Sequence, residues 1–141
     1  MVHLESKINK SLVDSILNKL YQFEDFDKLS KVDSDYVNEI MISDEGYRLF
    51  FNGLKYYYEK NIPRAVRLYE KAVNLGNSYA MNNLADLIEN GEGVEKDINQ
   101  AIELYEKAVN LGNSYAMNNL AICYKNGIGF EKDINKAIYL Y

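Results

Sequence analysis

Residues 65–100 read AVRLYEKAVNLGNSYAMNNLADLIENGEGVEKDINQ, and residues 101–136 read AIELYEKAVNLGNSYAMNNLAICYKNGIGFEKDINK. The second stretch follows the first without a gap, about three-quarters of the positions are identical, and a third copy opens at Ala137 with AIYLY. Self-similarity at a fixed period of a few tens of residues marks a repeat architecture, in which no unit buries its apolar face alone and stacking completes each core.

Inside one period the apolar residues fall at helical spacing. Ala65, Leu68, Tyr69, Ala72 and Val73 form one stripe, and Ala80, Leu84, Ala85 and Ile88 form a second, so two helices per repeat are predicted. Gly76 and Gly112 stand just past the first stripe, where a left-handed closing residue costs least without a Cβ. Asn77-Ser78 and Asn113-Ser114 then offer side-chain oxygens to the free N–H groups of the next helix, which is predicted to run to about Asn90 or Asn126. Gly91-Glu92-Gly93 and Gly127-Ile128-Gly129 break the chain again, Asp97 and Asp133 are placed to cap the following helix, and Val94 and Phe130 are expected to plug into the core. Alanine recurs beside large partners such as Tyr69, Tyr105, Leu84 and Leu120, which lets neighbouring helices approach closely and interdigitate.

Ala80, Leu84, Ala85, Ile88, Gly91, Gly93, Val94, Asp97, Gln100, Ala101, Leu104, Tyr105, Lys107, Ala108, Val109 and Gly112 together resemble the Sel-one-like repeat, a relative of the tetratricopeptide repeat. The next copy is similar through Ala116, Leu120, Ala121, Tyr124, Gly127, Gly129, Phe130, Asp133, Lys136, Ala137 and Tyr141. Upstream, Gly53, Tyr56, Ala65, Tyr69 and Ala72 resemble an ordinary tetratricopeptide unit, with Lys60-Asn61-Ile62-Pro63 as a short turn and Pro63 suited to a first helical turn. The resemblance implies an all-α fold, an α-solenoid of stacked antiparallel helix pairs, with repeats at about 46–76, 77–112 and 113–141. The last is incomplete.

Residues 1–43 lie outside the resemblance but carry their own helical pattern. Leu4, Ile8, Leu12, Val13, Ile16, Leu17, Leu20 and Tyr21 form a strong stripe, and Tyr36, Val37, Ile40 and Met41 suggest another. They are expected to form an N-terminal helical cap over the open end of the solenoid. The opposite end stops at Tyr141 in mid-helix, as expected either of a fragment of a longer array or of a final helix that frays or pairs with another molecule, and self-association through that helix is the alternative to a groove-binding role.

Composition excludes several functions. The chain of 141 residues carries 21 acidic against 16 basic side chains, a formal charge of −5, with the cations scattered. That balance argues against nucleic acid as a partner. No run approaches the roughly 18 apolar residues of a membrane span, and Met1–Lys10 is polar where a secretory signal would be apolar. No membrane partner is expected, and a cytoplasmic location is. The single cysteine, Cys123, has no partner for a disulfide or a structural zinc and reads as a small apolar helix residue.

Catalysis needs a positioned acid, base or nucleophile, and the one histidine, His3, sits near the terminus. The GEGVEKD and GIGFEKD loops lack the third glycine and the Gly-Lys-Ser/Thr ending of phosphate loops, and lack the alternating ligands of a calcium loop. No enzyme, cofactor or metal is therefore expected. The function implied by the resemblance is an adaptor or scaffold that holds a peptide or helix of another protein in a groove.

By resemblance to tetratricopeptide grooves and by helical geometry, the exposed inner wall should comprise Tyr47, Phe50, Leu54 and Tyr57, then Asn82, Asp86 and Glu89, then Asn118, Ile122 and Lys125. Asn82 and Asn118, one repeat apart, could each clamp the backbone of an extended peptide with one donor and one acceptor. Surface asparagine without a role is the alternative. Tyr47, Phe50, Tyr56, Tyr57 and Tyr58 cannot all be core on one helix, so this cluster is expected either to form a hot spot or to pack against the N-terminal cap.

Overall fold

The computed structural model describes residues 8–127. Several expectations fall outside that range: those on His3, Leu4, Ile128, Gly129, Phe130 and Asp133, the third copy from Ala137, and self-association through the helix ending at Tyr141.

Seven α-helices and one 3-10 turn make up the described chain, with no strand among those residues. They are α1 (Lys10–Phe23), the 3-10 turn (Phe26–Lys28), α2 (Lys31–Ser43), α3 (Glu45–Tyr58), α4 (Ile62–Asn74), α5 (Ser78–Asn90), α6 (Ile98–Asn110) and α7 (Ser114–Asn126). The boundaries follow from local chemistry. Asn77 Oδ1 accepts the Ala80 N–H at 2.9 Å and Asn113 Oδ1 accepts the Ala116 N–H at 2.9 Å, so each satisfies an orphan donor of the first turn. Asp97 does the same for Gln100 at 3.1 Å. Past α4 and α6 the chain reverses at Gly76 (φ +82°) and Gly112 (φ +85°), a left-handed conformation that only glycine adopts without cost. Pro63 lies in the first turn of α4, where its missing N–H leaves no bond unmade.

Helices α3, α5 and α7 form an inner layer, and α4 and α6 an outer one. Successive helices pack along the chain from α3 to α7. Their shared core contains Phe50, Phe51, Tyr69, Leu84, Ala85, Tyr105, Ala108 and Leu120, all 5% exposed or less. Small meets large as the sequence pattern requires: Gly53 of α3 faces the ring of Tyr69 on α4 so closely that an added Cβ would stand 2.7 Å from Cε1. Val94 is half-buried against the core. Repeats are also tied by polar contacts, since Asn113 Nδ2 donates to Ser78 Oγ at 3.3 Å.

The two leading helices take different places. Helix α2 lies against α3, and its Asp33 pairs with Lys19 of α1 at 2.6 Å. Helix α1 instead crosses the inner layer. Tyr79 of α5 donates its hydroxyl to Asp14 Oδ1 at 2.6 Å, Tyr115 of α7 donates to the Asp14 carbonyl at 3.1 Å and to Asn18 Oδ1, and Tyr21 donates to Asn83 Oδ1 at 3.2 Å. Val13, Ile16, Leu17 and Leu20 of α1 are at most 1% exposed. At roughly 1.5–3 kcal/mol per fully buried aliphatic side chain, this helix is an integral layer of the fold.

Candidate inner-face cleft

Because α1 covers part of the inner layer, the free surface there is smaller than a bare repeat array would offer. Tyr47 and Phe50 of α3 are buried at 9% and 0% exposure, which corrects the expectation that they face an open groove, while Leu54, though 2% exposed, lines the cleft described below. The physical reason is aromatic packing. Phe50 lies between Tyr69 and Tyr79 with ring centroids 6.0 and 5.8 Å away, and Tyr47 stacks on Phe51 and leans on Tyr79. Farther along α3, Phe26 of the 3-10 turn meets Tyr58 and Phe51. This part of the aromatic cluster packs against the N-terminal segment.

Asn82 is also buried, at 6% exposure. Its Oδ1 accepts from Asn119 Nδ2 at 2.9 Å, and its own Nδ2 donates to Asn83 Oδ1 at 3.3 Å. The amide thus belongs to a chain running from Asn119 through Asn82 to Asn83, where Tyr21 also donates. The exposed clamp expected of Asn82 is not formed, because its neighbours already engage both ends of the amide. Asn118, the equivalent residue of the next repeat, is exposed.

Where α1 ends at Phe23, the inner face opens into a cleft of about 300 Å³. Helix α3 contributes Leu54, Tyr57 and Tyr58, α5 contributes Asn82, Asn83, Asp86 and Leu87, and α7 contributes Tyr115, Asn118 and Asn119. Tyr21 and Glu24 from the end of α1 and Tyr69 of α4 complete it. Of the residues read from the sequence, Leu54, Tyr57, Asn82, Asp86 and Asn118 meet here. Glu89 points elsewhere: it accepts from the Tyr105 hydroxyl at 3.0 Å and lies 3.8 Å from Cys123 Sγ, tying α5 to α6 and α7. Ile122 is half-buried and Lys125 exposed, both away from the cleft.

Tyr21, Asn83, Tyr115 and Asn119 also line the cleft and were not expected there, whereas Tyr58 belongs to the aromatic cluster expected either to form a hot spot or to pack against the N-terminal cap. A signal was present in the pair Asp14 and Asn18, one turn apart and polar, beside an otherwise apolar stripe that had to be buried. Such groups require partners when desolvated, and the tyrosines at 79 and 115, one period apart, are the donors that meet them.

The electrostatics are acidic and the hydroxyls neutral. Burial raises the Tyr21 hydroxyl well above its usual range, burial and then Glu92 raise Tyr57, and burial with Asp14 pushes Tyr115 up to about 12. These tyrosines stay protonated at neutral pH and act as donors. Burial, then Glu89 and Glu92, lift the Asp86 carboxyl above the ordinary range. Cys123, buried and near Glu89, has its thiol pushed up to about 12, which removes the thiolate that nucleophilic chemistry needs. Among the described residues no grouping of His, Cys, Asp and Glu has the makings of a metal site, and no helix is long and apolar enough to cross a membrane.

The chain is similar over 75% of its length to the crystal structure of a Sel1 repeat protein from Oxalobacter formigenes, with a TM-score of 0.65, 26% identity and 84% of that protein covered. It is also similar over 82% of its length to c5321, a protective antigen of uropathogenic Escherichia coli displaying an SLR fold, with a TM-score of 0.67 and 26% identity. It spans 27% of that antigen. No curated protein matches the chain. The family profile described as Sel1 repeat matches residues 46–77, 78–113 and 114–141, and with the helix pairs of the described repeats stacked as that pattern demands, the chain belongs to the Sel1 repeat family.

Proposed function

We propose that the protein is a non-catalytic adaptor that holds a segment of a partner protein against the inner-face cleft. Sel1 repeats generally mediate protein–protein interactions, and the cleft supports the same role here. The observation that carries the reading is the meeting of side chains from α1, α3, α5 and α7 around one open cavity at the end of α1. Its walls combine apolar and aromatic surface with convergent amide and hydroxyl groups, the composition of recognition sites in general.

Helix α1 confines the binding surface to that cleft and the exposed side of α7, so a short peptide or one turn of helix is the partner element that fits. Selection of a random peptide display library against the intact chain tests the reading. Enriched peptides should bind the wild type and lose most of their affinity to Asn118→Arg, which fills the cleft mouth at an exposed position. No enrichment, or affinity indifferent to that substitution, would contradict it.

A further inference from the structure

We propose, building on the adaptor reading, that the cleft accepts a basic side chain, lysine or arginine, from the partner segment. The residues that line it include Glu24 and Asp86 and no Lys or Arg, so the lining carries a formal charge of −2 from those two carboxylates. Glu89 and Glu92 lie near enough to raise the Asp86 carboxyl further, and Glu92 acts on Tyr57 as well. A positive guest relieves this crowding, whereas an acidic peptide or a free C-terminal carboxylate adds to it.

The walls fit the same guest. Tyr21, Tyr57, Tyr58 and Tyr115 surround the space with ring surface, and an ammonium or guanidinium group is attracted to the electron-rich face of such rings. Tyr21 and Tyr115 are fixed edge to face at 5.3 Å, and Tyr57 and Tyr58 edge to face at 6.0 Å, so the wall is preorganised. The Tyr58 hydroxyl is buried and has no hydrogen-bond partner, an unusual state for a buried polar atom.

Size and desolvation favour the same guest. A cavity of about 300 Å³ stands at the lower bound for small-molecule sites, which suits one long side chain better than a whole ligand. A purely apolar anchor would cover Glu24 and Asp86 without pairing them, and burying unpaired carboxylates is costly. Lysine and arginine bring an apolar stem for the rings and a charge for the rim.

The test titrates the 141-residue chain with N-acetyl-lysine methylamide, N-acetyl-arginine methylamide and N-acetyl-norleucine methylamide, following tyrosine ring signals by NMR. Saturable binding is expected for at least one cationic probe, with norleucine about tenfold weaker or worse. The double variant Glu24→Gln/Asp86→Asn should lose about the same factor while keeping the wild-type amide spectrum elsewhere. Norleucine binding as well as the cations, or cations leaving the tyrosine signals unmoved, overturns the proposal. Library peptides that bind the cleft without enrichment in lysine or arginine would also overturn it and leave the adaptor reading standing.

Discussion

The Tyr79 hydroxyl and the Asp14 carboxylate meet at 2.6 Å across 65 residues of sequence. This contact fastens the N-terminal helix to the second repeat. Burial first and Asp14 second hold the phenol well above its usual range, so the proton stays on Tyr79 and the bond is charge-assisted. Tyr79→Phe should therefore cost about 1–3 kcal/mol, the range for a hydrogen bond to a charged group plus its unsatisfied partner. Urea unfolding of Tyr79→Phe, Asp14→Asn and the double variant should give strongly non-additive losses. Additive losses would mean that the contact contributes nothing to docking α1.

Gly53 and Gly112 should respond to alanine for different reasons. A Cβ on Gly53 meets Tyr69 at 2.7 Å, and Tyr69 is a rigid ring 1% exposed, so overpacking should cost about 1–3 kcal/mol. A Cβ on Gly112 meets nothing within 4 Å, and the penalty there is only the left-handed backbone, about 1 kcal/mol. Thermal unfolding should rank Gly53→Ala below Gly112→Ala, and a companion Tyr69→Leu should rescue only the former.

Asp86 sets a pH dependence. Its folded carboxyl is raised above the unfolded value by burial and by Glu89 and Glu92. The native state then binds the proton more readily than the unfolded chain, and stability falls as pH rises through the window between the two values. Asp86→Asn should be more stable than the wild type at neutral pH, with the advantage vanishing below the ordinary carboxylate range. Denaturation midpoints across pH 3–7 measure this, and a constant difference would refute it.

Cys123 should be inert in the folded protein. It is 1% exposed and its thiol is pushed up to about 12, so both access and thiolate are lacking. Reaction with a thiol reagent should track global unfolding and accelerate with urea in proportion to the unfolded fraction. Rapid modification in native buffer would place the α5–α7 contact in error.

The helices were legible because their signals are local. Asn77, Asn113 and Asp97 bond groups three residues away, and Gly76 and Gly112 reverse the chain within one turn, so the repeated sequence carries these features in full. The place of α1 was not legible in the same way. It depends on pairings such as Tyr115 with Asp14, 101 residues apart, and an amphipathic stripe states that a face is buried without stating against what. Treating Tyr47 and Phe50 as groove residues followed from analogy with open tetratricopeptide arrays, and the filled inner layer of this chain removes that freedom. Half of the candidate residues still meet at the cleft, because Leu54, Tyr57, Asn82, Asp86 and Asn118 keep their inner-layer register whether or not α1 is present.

The seating of α1 across the inner layer decides where any partner can bind, and NOE spectroscopy on the intact chain tests it most directly. The account predicts cross-peaks between the rings of Tyr21 and Tyr115, whose centroids are 5.3 Å apart, and slow exchange of the α1 amides. Tyr21 signals confined to neighbours within α1, with those amides exchanging freely, would contradict it and reopen the inner face from α3 to α7.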